Sequence, residues 1–207
     1  MNIKLFPVIA YDASDFKLSG KFFNGTAFLI DDSKIFYTAG HNYYDNSRGH
    51  EPKRIDCYAL INGELISTEK VFIEYNQDND KIKKDIAFGK IKDFKSEPFT
   101  IPVESNQPIA LGYSRNRLDF EILNTVTWKG ITFNLYKIPI SVGTNSIKSI
   151  QNSIIDISFS NVLFFNAASI DLKGLSGGPI INKDELQGIL VSNCFIIKDY
   201  IDTVKPK

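Results

Sequence analysis

The chain has 207 residues, enough for a sizeable core in one or two compact units. Its 24 basic and 24 acidic residues give a formal net charge of zero, so no overall positive field recruits nucleic acid or an anionic membrane. The two cysteines are too few for a disulfide framework and favour free thiols in a reducing compartment.

The N-terminal segment does not read as a secretion signal. Its apolar stretch, Leu5–Ala10, is short, contains Pro7 and lacks a small-residue cleavage pattern. No apolar run in the sequence approaches the length of a membrane span. We therefore expect a cytoplasmic protein with no membrane partner.

The rest of the chain is dominated by short runs rich in aromatic and β-branched residues, each bounded by turn residues. Such runs are typical of β-strands, and many of them at close spacing favour a barrel or sandwich over alternating strands and helices. The predicted strands are Thr26–Ile30, Lys34–Thr38, Arg54–Ile61, Glu64–Ser67, Lys70–Tyr75, Asp85–Ile91, Pro108–Tyr113, Leu118–Thr127, Ile131–Ile138, Val162–Ala167, Pro179–Asn182 and Gln187–Ser192.

Three segments depart from the strand pattern. Asn42–Pro52 is polar and is predicted to be a loop. Lys95–Gln107 holds two prolines and several polar residues, which suggests a linker between two β units. Phe195–Val204 has apolar residues at helical spacing and is predicted to form a short closing helix.

The most specific motif is GLSGGP at 174–179, immediately before a predicted strand. A glycine two residues before a serine lets the N–H groups of Gly174 and Ser176 converge on one point, the geometry of an oxyanion hole. The glycines that follow the serine remove side chains where the chain folds back tightly. A plain glycine-rich turn is the simpler interpretation, but most turns do not need glycine on both sides of a serine.

His41 ends the segment YTAGH, where a strand gives way to Ala39 and Gly40. Small residues there let a histidine ring pack at the strand end against another element. A histidine in this position is, by itself, more often structural than catalytic. The only other histidine, His50, lies in the polar segment SRGHEPKR and is expected to be solvated, which leaves His41 as the one candidate base.

Asp85 opens the apolar run 86–88, an unusual position for a charge without a partner. Considered alone, it would be interpreted as a solvated turn residue. That simpler interpretation is the one we expect for Asp78 and Asp80 in the preceding polar segment.

The three candidate catalytic residues are more convincing together than each is alone. A serine hydroxyl is a weak nucleophile that needs a neighbouring base, and the base needs a carboxylate to orient it. The chain supplies His41, Asp85 and Ser176 in that order. Cys194 is far from either histidine in the sequence, so a cysteine nucleophile is not expected.

The blocks GTAFLI, YTAGH, DIAFGKI, KGLSGGPIIN and GILVS resemble successive blocks of trypsin-like serine peptidases. They are most similar to the bacterial branch that includes the high-temperature-requirement and glutamyl endopeptidases. The resemblance implies an all-β fold of two antiparallel β-barrels with the active site in the cleft between them and a short C-terminal helix. Residues 1–97 would form the first barrel, with His41 and Asp85, and residues 98–207 the second, with Ser176.

The resemblance also implies a function, that of a serine endopeptidase. His41 would be the general base, Asp85 its orienter and Ser176 the nucleophile, with the N–H groups of Gly174 and Ser176 forming the oxyanion hole. This chemistry takes no cofactor and no metal. The implied partners are a protein or peptide substrate and, for a regulated protease, a regulatory protein.

By position in the family motif, Ile170, Asp171 and Ser192 would surround the primary specificity pocket. Asp171 in that place favours Lys or Arg at the scissile position, unless it points outward or pairs with Lys173.

The sequence departs from the digestive members of the family at several points. Leu175 stands where those members carry the aspartate that pairs with an amino group made by zymogen cleavage. The Ile-Val-Gly-Gly terminus and the disulfides beside the histidine and serine are also missing. The resemblance therefore implies a protease that N-terminal cleavage does not switch on.

Two other functions compete with the endopeptidase. A catalytically inactive trypsin-like fold would serve as a protein-interaction module, but the presence of all three triad residues favours the enzyme. An esterase would use the same triad, but nothing in the sequence indicates a lipid or small-ester site.

Overall fold

The computed structural model describes residues 1–45, 53–78, 81–91, 97–102, 107–140, 142–143, 162–165, 173–191 and 194–205. Strands dominate this part of the chain: β1 Asn2–Tyr11, β2 Phe23–Ile30, β3 Ile35–Thr38, β4 Tyr44–Asp45, β5 Lys53–Arg54, β6 Asp56–Ile61, β7 Glu64–Asp78, β8 Lys81–Ile91, β9 Phe99–Pro102, β10 Ile109–Ser114, β11 Glu121–Trp128, β12 Ile131–Pro139, β13 Val142–Gly143, β14 Val162–Phe165, β15 Pro179–Asn182, β16 Glu185–Val191 and β17 Cys194–Ile197. Two short helices, α1 Ala13–Ser19 and α2 Lys198–Val204, and a 3₁₀ turn at Gly40–Tyr43 complete it.

The first sheet closes on itself as a barrel. Its antiparallel order is β2-β3-β8-β7-β6-β1, and β1 pairs with β2 to complete the ring. The pleat places alternate side chains on opposite faces of the ring. One hydrophobic cluster, which includes Phe6, Leu29 and Phe36, each at most 1% exposed, contains, among the described residues, no buried residue of the second sheet. Closure leaves no free edge within the ring.

β1 was not among the predicted strands. Pro7 lies in its middle, and proline cannot donate a ladder hydrogen bond. The structure shows how the strand accommodates it. One side of β1 pairs with β2 from Ile3 to Ala10, while the other pairs with β9 up to Leu5 and with β6 from Val8 onward. Pro7 therefore stands at the junction between two partner strands.

The second unit is an antiparallel sheet of eight strands, in the order β11-β12-β10-β15-β16-β17-β14-β13. One hydrophobic cluster draws residues from both sheets, including Phe28 and Phe88 from the first and Leu111 and Phe133 from the second. The all-β prediction is confirmed, and a short helix, α2, follows the last strand.

Several predicted boundaries were wrong. The two runs Glu64–Ser67 and Lys70–Tyr75 belong to one long strand, β7, which continues to Asp78. The expected linker, Lys95–Gln107, contains strand β9, which pairs with β1, although its residues 95–96 and 103–106 lie outside the described ranges.

The predicted closing helix and loop were also only partly right. The helix begins at Lys198, because the preceding residues form β17 against β16. In the expected loop Asn42–Pro52, the described residues form the end of the 3₁₀ turn and strand β4, which pairs with β5, and residues 46–52 are not described.

The division of the chain into residues 1–97 and 98–207 stays a prediction. None of the helices in the described part of the chain has the length and apolar character needed to cross a membrane.

Candidate active site

His41 lies in the 3₁₀ turn that follows β3. The turn packs so closely against the hairpin of β7 and β8 that a Cβ on Gly40 would lie 3.0 Å from the carbonyl oxygen of Glu74 and 3.1 Å from the nitrogen of Ile86. The small residue before the histidine is thus required by this contact. It brings the His41 backbone beside β8, the strand that carries Asp85.

Asp85 binds His41 at two points. Its Oδ1 accepts a hydrogen bond of 2.7 Å from the His41 backbone N–H, and its Oδ2 lies 2.6 Å from the His41 Nδ1. Because an ionised carboxylate can only accept, Nδ1 carries the proton, and the unprotonated nitrogen is Nε2. The Asp85 residue is 1% exposed, whereas the His41 side chain retains 25% exposure.

This pairing explains why a charged residue, Asp85, lies among apolar strand residues. Asp85 lies inside β8, which begins at Lys81 rather than at Asp85 as predicted, and its partner is the histidine. Burial alone would lower the pKa of His41, but the charge of Asp85 and its hydrogen bond to the ring outweigh burial and raise that pKa above 6.5.

Ser176 lies in the turn between β14 and β15 and is 9% exposed. Its carbonyl oxygen accepts hydrogen bonds from the backbone N–H of Thr26, at 2.8 Å, and from Nδ2 of Asn42, at 3.1 Å. Asn42 is the residue directly after His41. The bond from Asn42 ties the serine backbone to the turn that carries the histidine, across 134 positions of sequence, and the bond from Thr26 ties it to β2.

The glycines after the serine are needed for this approach. A Cβ on Gly177, whose φ is +94°, would lie 2.1 Å from the carbonyl oxygen of Thr26. A Cβ on Gly178 would lie 1.9 Å from the carbonyl oxygen of Leu111. Both contacts are with backbone, which cannot move aside cheaply, so the prediction that these glycines clear a tight fold-back is confirmed.

Gly174 has a φ of +89°, a conformation that favours glycine. Its carbonyl oxygen accepts a hydrogen bond from Thr26 Oγ1 at 3.1 Å. Within the described ranges its N–H donates to no other group. A buried or half-buried backbone N–H is ordinarily paired, so this one is a candidate donor for a bound group.

Three residues of the site, Thr26, Asn42 and Thr38, were missed in the sequence. Thr26 and Asn42 each hold the Ser176 carbonyl, and the Thr38 hydroxyl joins them, accepting from Asn42 Nδ2 at 2.8 Å and donating to the Thr26 carbonyl at 2.7 Å. Thr26 and Thr38 were predicted only as strand residues. The signal available was that each threonine directly adjoins a run of apolar residues, 27–30 after Thr26 and 35–37 before Thr38.

The predicted pocket residues Ile170, Asp171 and Ser192 lie outside the described residues, as do His50 and Asp80. Cys57 is a free, buried cysteine, and burial raises the pKa of its thiol to about 12. A thiol in that state is not a nucleophile at neutral pH. In the part of the chain that is described, no three His, Cys, Asp or Glu side chains are grouped so as to hold a metal ion.

Comparison with known proteins places the fold. No protein-family model and no curated protein sequence matches the chain. Among solved structures, it is similar to the active form of the Rv3671c protease from M. tuberculosis, with a TM-score of 0.54 and 14% sequence identity. The match covers 97% of this chain and 78% of that one. The fold is chymotrypsin-like.

Proposed function

We propose that the protein is a serine endopeptidase in which Ser176, His41 and Asp85 form the catalytic triad. The observation that carries the proposal is the pairing of His41 Nδ1 with a buried carboxylate at 2.6 Å, in a turn bound to the backbone of Ser176. A buried aspartate that fixes the tautomer of a partly exposed histidine is the arrangement that activates a serine hydroxyl. The likeness to a protease of the same fold supports it.

In the proposed reaction, the Ser176 hydroxyl attacks the scissile carbonyl while its proton passes to Nε2 of His41. The imidazolium that results is stabilised by Asp85. The carbonyl oxygen, now negatively charged, accepts from the N–H groups of Gly174 and Ser176. When the C–N bond breaks, the amine leaves with the proton from His41, and an acyl-enzyme remains on Ser176.

Water completes the cycle by the same steps. His41 takes a proton from the water as it attacks the acyl-enzyme, and then returns that proton to the Ser176 oxygen as the acid product leaves. Each step uses groups of the chain and needs no cofactor. The substrate is a protein or peptide, and we place the enzyme with the bacterial branch of trypsin-like peptidases on its sequence blocks.

Reaction with a fluorophosphonate probe tests the proposal directly. The probe forms a stable bond only with an activated serine, so wild-type protein should be labelled at Ser176 and the variants Ser176→Ala and His41→Ala should not. A peptide library then defines cleavage specificity. A folded wild-type protein that neither reacts with the probe nor cleaves any library peptide would instead be an inactive module for protein interaction.

A further inference from the structure

An oxyanion hole stabilises developing charge only if its donors already point at the right place before the substrate arrives. In this chain one proposed donor is the N–H of Gly174, a residue that glycine flexibility leaves free to rotate. Leu175, which follows it, is apolar and 0% exposed, so it offers no charged group to hold the turn. The turn is held instead by hydrogen bonds to the peptides on either side of Gly174.

The first contact acts on the peptide that contains the Gly174 N–H. Ser114 Oγ donates a hydrogen bond of 2.7 Å to the carbonyl oxygen of Lys173 and accepts one of 3.1 Å from the N–H of Asn116. Because a trans peptide is planar, the Gly174 N–H points opposite to the Lys173 carbonyl. A bond that fixes this carbonyl therefore fixes the direction of the Gly174 N–H.

The second contact acts on the next peptide. Thr26 Oγ1 donates to the carbonyl oxygen of Gly174 at 3.1 Å and accepts from the N–H of Tyr113 at 2.7 Å. The Thr26 backbone N–H also holds the Ser176 carbonyl, at 2.8 Å. Both hydroxyl-bearing residues are 0% exposed, so water does not compete for these bonds.

Gly174 is thus anchored on both sides of its Cα, by one hydroxyl from each sheet. The side chain of Asn24 covers the same Cα, because a Cβ on Gly174 would lie 2.3 Å from Asn24 Nδ2. Rotation of the Lys173–Gly174 peptide would break the Ser114 bond and leave the proton of a buried hydroxyl without this acceptor, which is costly.

We propose that Thr26 and Ser114 are positioning residues that preset the oxyanion hole by fixing the two peptides on either side of Gly174. This inference rests on the proposed function and deepens it. It implies that neither a processed N-terminus nor a partner is needed to orient the Gly174 N–H. The two hydroxyls, here called the hydroxyl clamp, bond to backbone groups and not to the triad side chains.

The test separates positioning from a purely structural role. Thr26→Val and Ser114→Ala each remove one hydroxyl, while Thr26→Ser keeps the oxygen. The matched control is Thr68→Val, because Thr68 Oγ1 also donates to a backbone carbonyl, at 2.6 Å, but that carbonyl belongs to Cys57 and not to the turn around Gly174. For each folded variant, kcat, KM, the acidic limb of the pH profile and the fluorophosphonate reaction rate are measured.

We expect Thr26→Val and Ser114→Ala each to lower kcat about tenfold to a hundredfold with KM changed less than about threefold, since an oxyanion donor acts in the transition state. The fluorophosphonate rate should fall in parallel. Thr26→Ser and Thr68→Val should keep kcat within about threefold of wild type, because the clamp is intact in both. The acidic limb should not move, because the bond between His41 and Asp85 is untouched.

The outcomes are distinct. Ser114→Ala is the smaller change, and it decides the test if Thr26→Val does not fold. If Ser114→Ala keeps the wild-type kcat, the proposed role of the clamp is wrong while the proposed protease activity stands. A parallel rise in KM and shift of the acidic limb would show a general loosening and overturn it as well. If wild-type protein neither reacts with the probe nor cleaves peptides, the proposed function fails and the clamp fails with it.

Discussion

The two halves of the proposed site are held by different kinds of contact. On the base side, within the first barrel, the Asp85 carboxylate contacts both the backbone N–H and the ring of His41, and the contact with the ring depends on charge. On the nucleophile side, the turn 173–178 is held by its backbone, through neutral hydrogen bonds from Thr26, Asn42 and Ser114.

This difference predicts how each half of the site responds to pH and to substitution. An ion pair depends on pH and on a single carboxylate, so the base side should be sensitive to protonation and to a one-atom substitution. A backbone-held turn does not depend on the serine side chain it presents, so the nucleophile itself should be removable without disturbing the fold.

The largest effect is therefore expected at the nucleophile. Ser176→Ala should lower kcat/KM by about 10⁴-fold or more, because the triad residues act as a unit. The bonds to the Ser176 carbonyl remain in the variant, so its thermal midpoint should stay within a few degrees of wild type. Turnover retained by the purified variant would show that another residue is the nucleophile.

Asp85→Asn tests the base side and should cost nearly as much, about 10⁴-fold in kcat. The amide can still accept from the His41 backbone through its oxygen, but its NH₂ would face Nδ1 and force the proton onto Nε2. The matched control is Asp56→Asn, an exposed aspartate of the same barrel, which should leave kcat unchanged within about twofold. Equal effects of the two changes would contradict the role of Asp85.

The pH dependence should sharpen the contrast between the two halves. Because Asp85 raises the pKa of His41 in the folded protein, the acidic limb of kcat/KM should have its midpoint above 6.5, and Asp85→Asn should move it lower. The pair stabilises the fold fully below the unfolded pKa near 6.5, and this contribution is lost as pH rises through the folded pKa. Activity should thus increase over the same pH range in which this part of the stability decreases. A midpoint below 6.5 in wild-type protein would show that burial, not Asp85, dominates.

The sequence predicted the chemical groups of the site better than the framework around them. The segments GLSGGP and YTAGH have local requirements: glycine is needed where two backbones touch, and small residues are needed before the histidine. Both requirements can be recognised from the sequence motif itself. The function of Thr26 and Ser114 depends instead on partners 148 and 59 positions away. A local sequence pattern does not indicate a contact with a residue so far away, so the role of these two residues could be recognised only from the three-dimensional structure.

Strand β1 and helix α2 depend on tertiary pairing in the same way. Pro7 argues against a strand by its local chemistry, yet β1 tolerates it because its pairing changes from β9 to β6 at that point. The helix predicted over Phe195–Val204 was shortened because the pairing of β17 with β16 overrides a helical spacing. In both places tertiary pairing decided the outcome.

The smallest effect on activity is expected from trimming the N-terminus. Asn2 already lies in β1, where its N–H donates to Asp31 Oδ1 at 2.9 Å, and the side chains of Ile3 and Leu5 in the same strand are at most 1% exposed. Deleting residues 1–2 should leave kcat/KM within about twofold, because the hydroxyl clamp rather than a terminal amino group orients Gly174.

Deleting residues 1–5 removes two buried aliphatic side chains and should destabilise the fold by about 3 kcal/mol or more. Both truncations are assayed against the same peptide, with thermal unfolding as the control for folding. Leu175 offers no carboxylate to a new amino group, and it packs in an apolar cluster with Ile180 and Leu190. A rise in kcat/KM of about tenfold or more at one defined trimming point would therefore mean that a processing switch exists and that packing alone does not set the oxyanion hole.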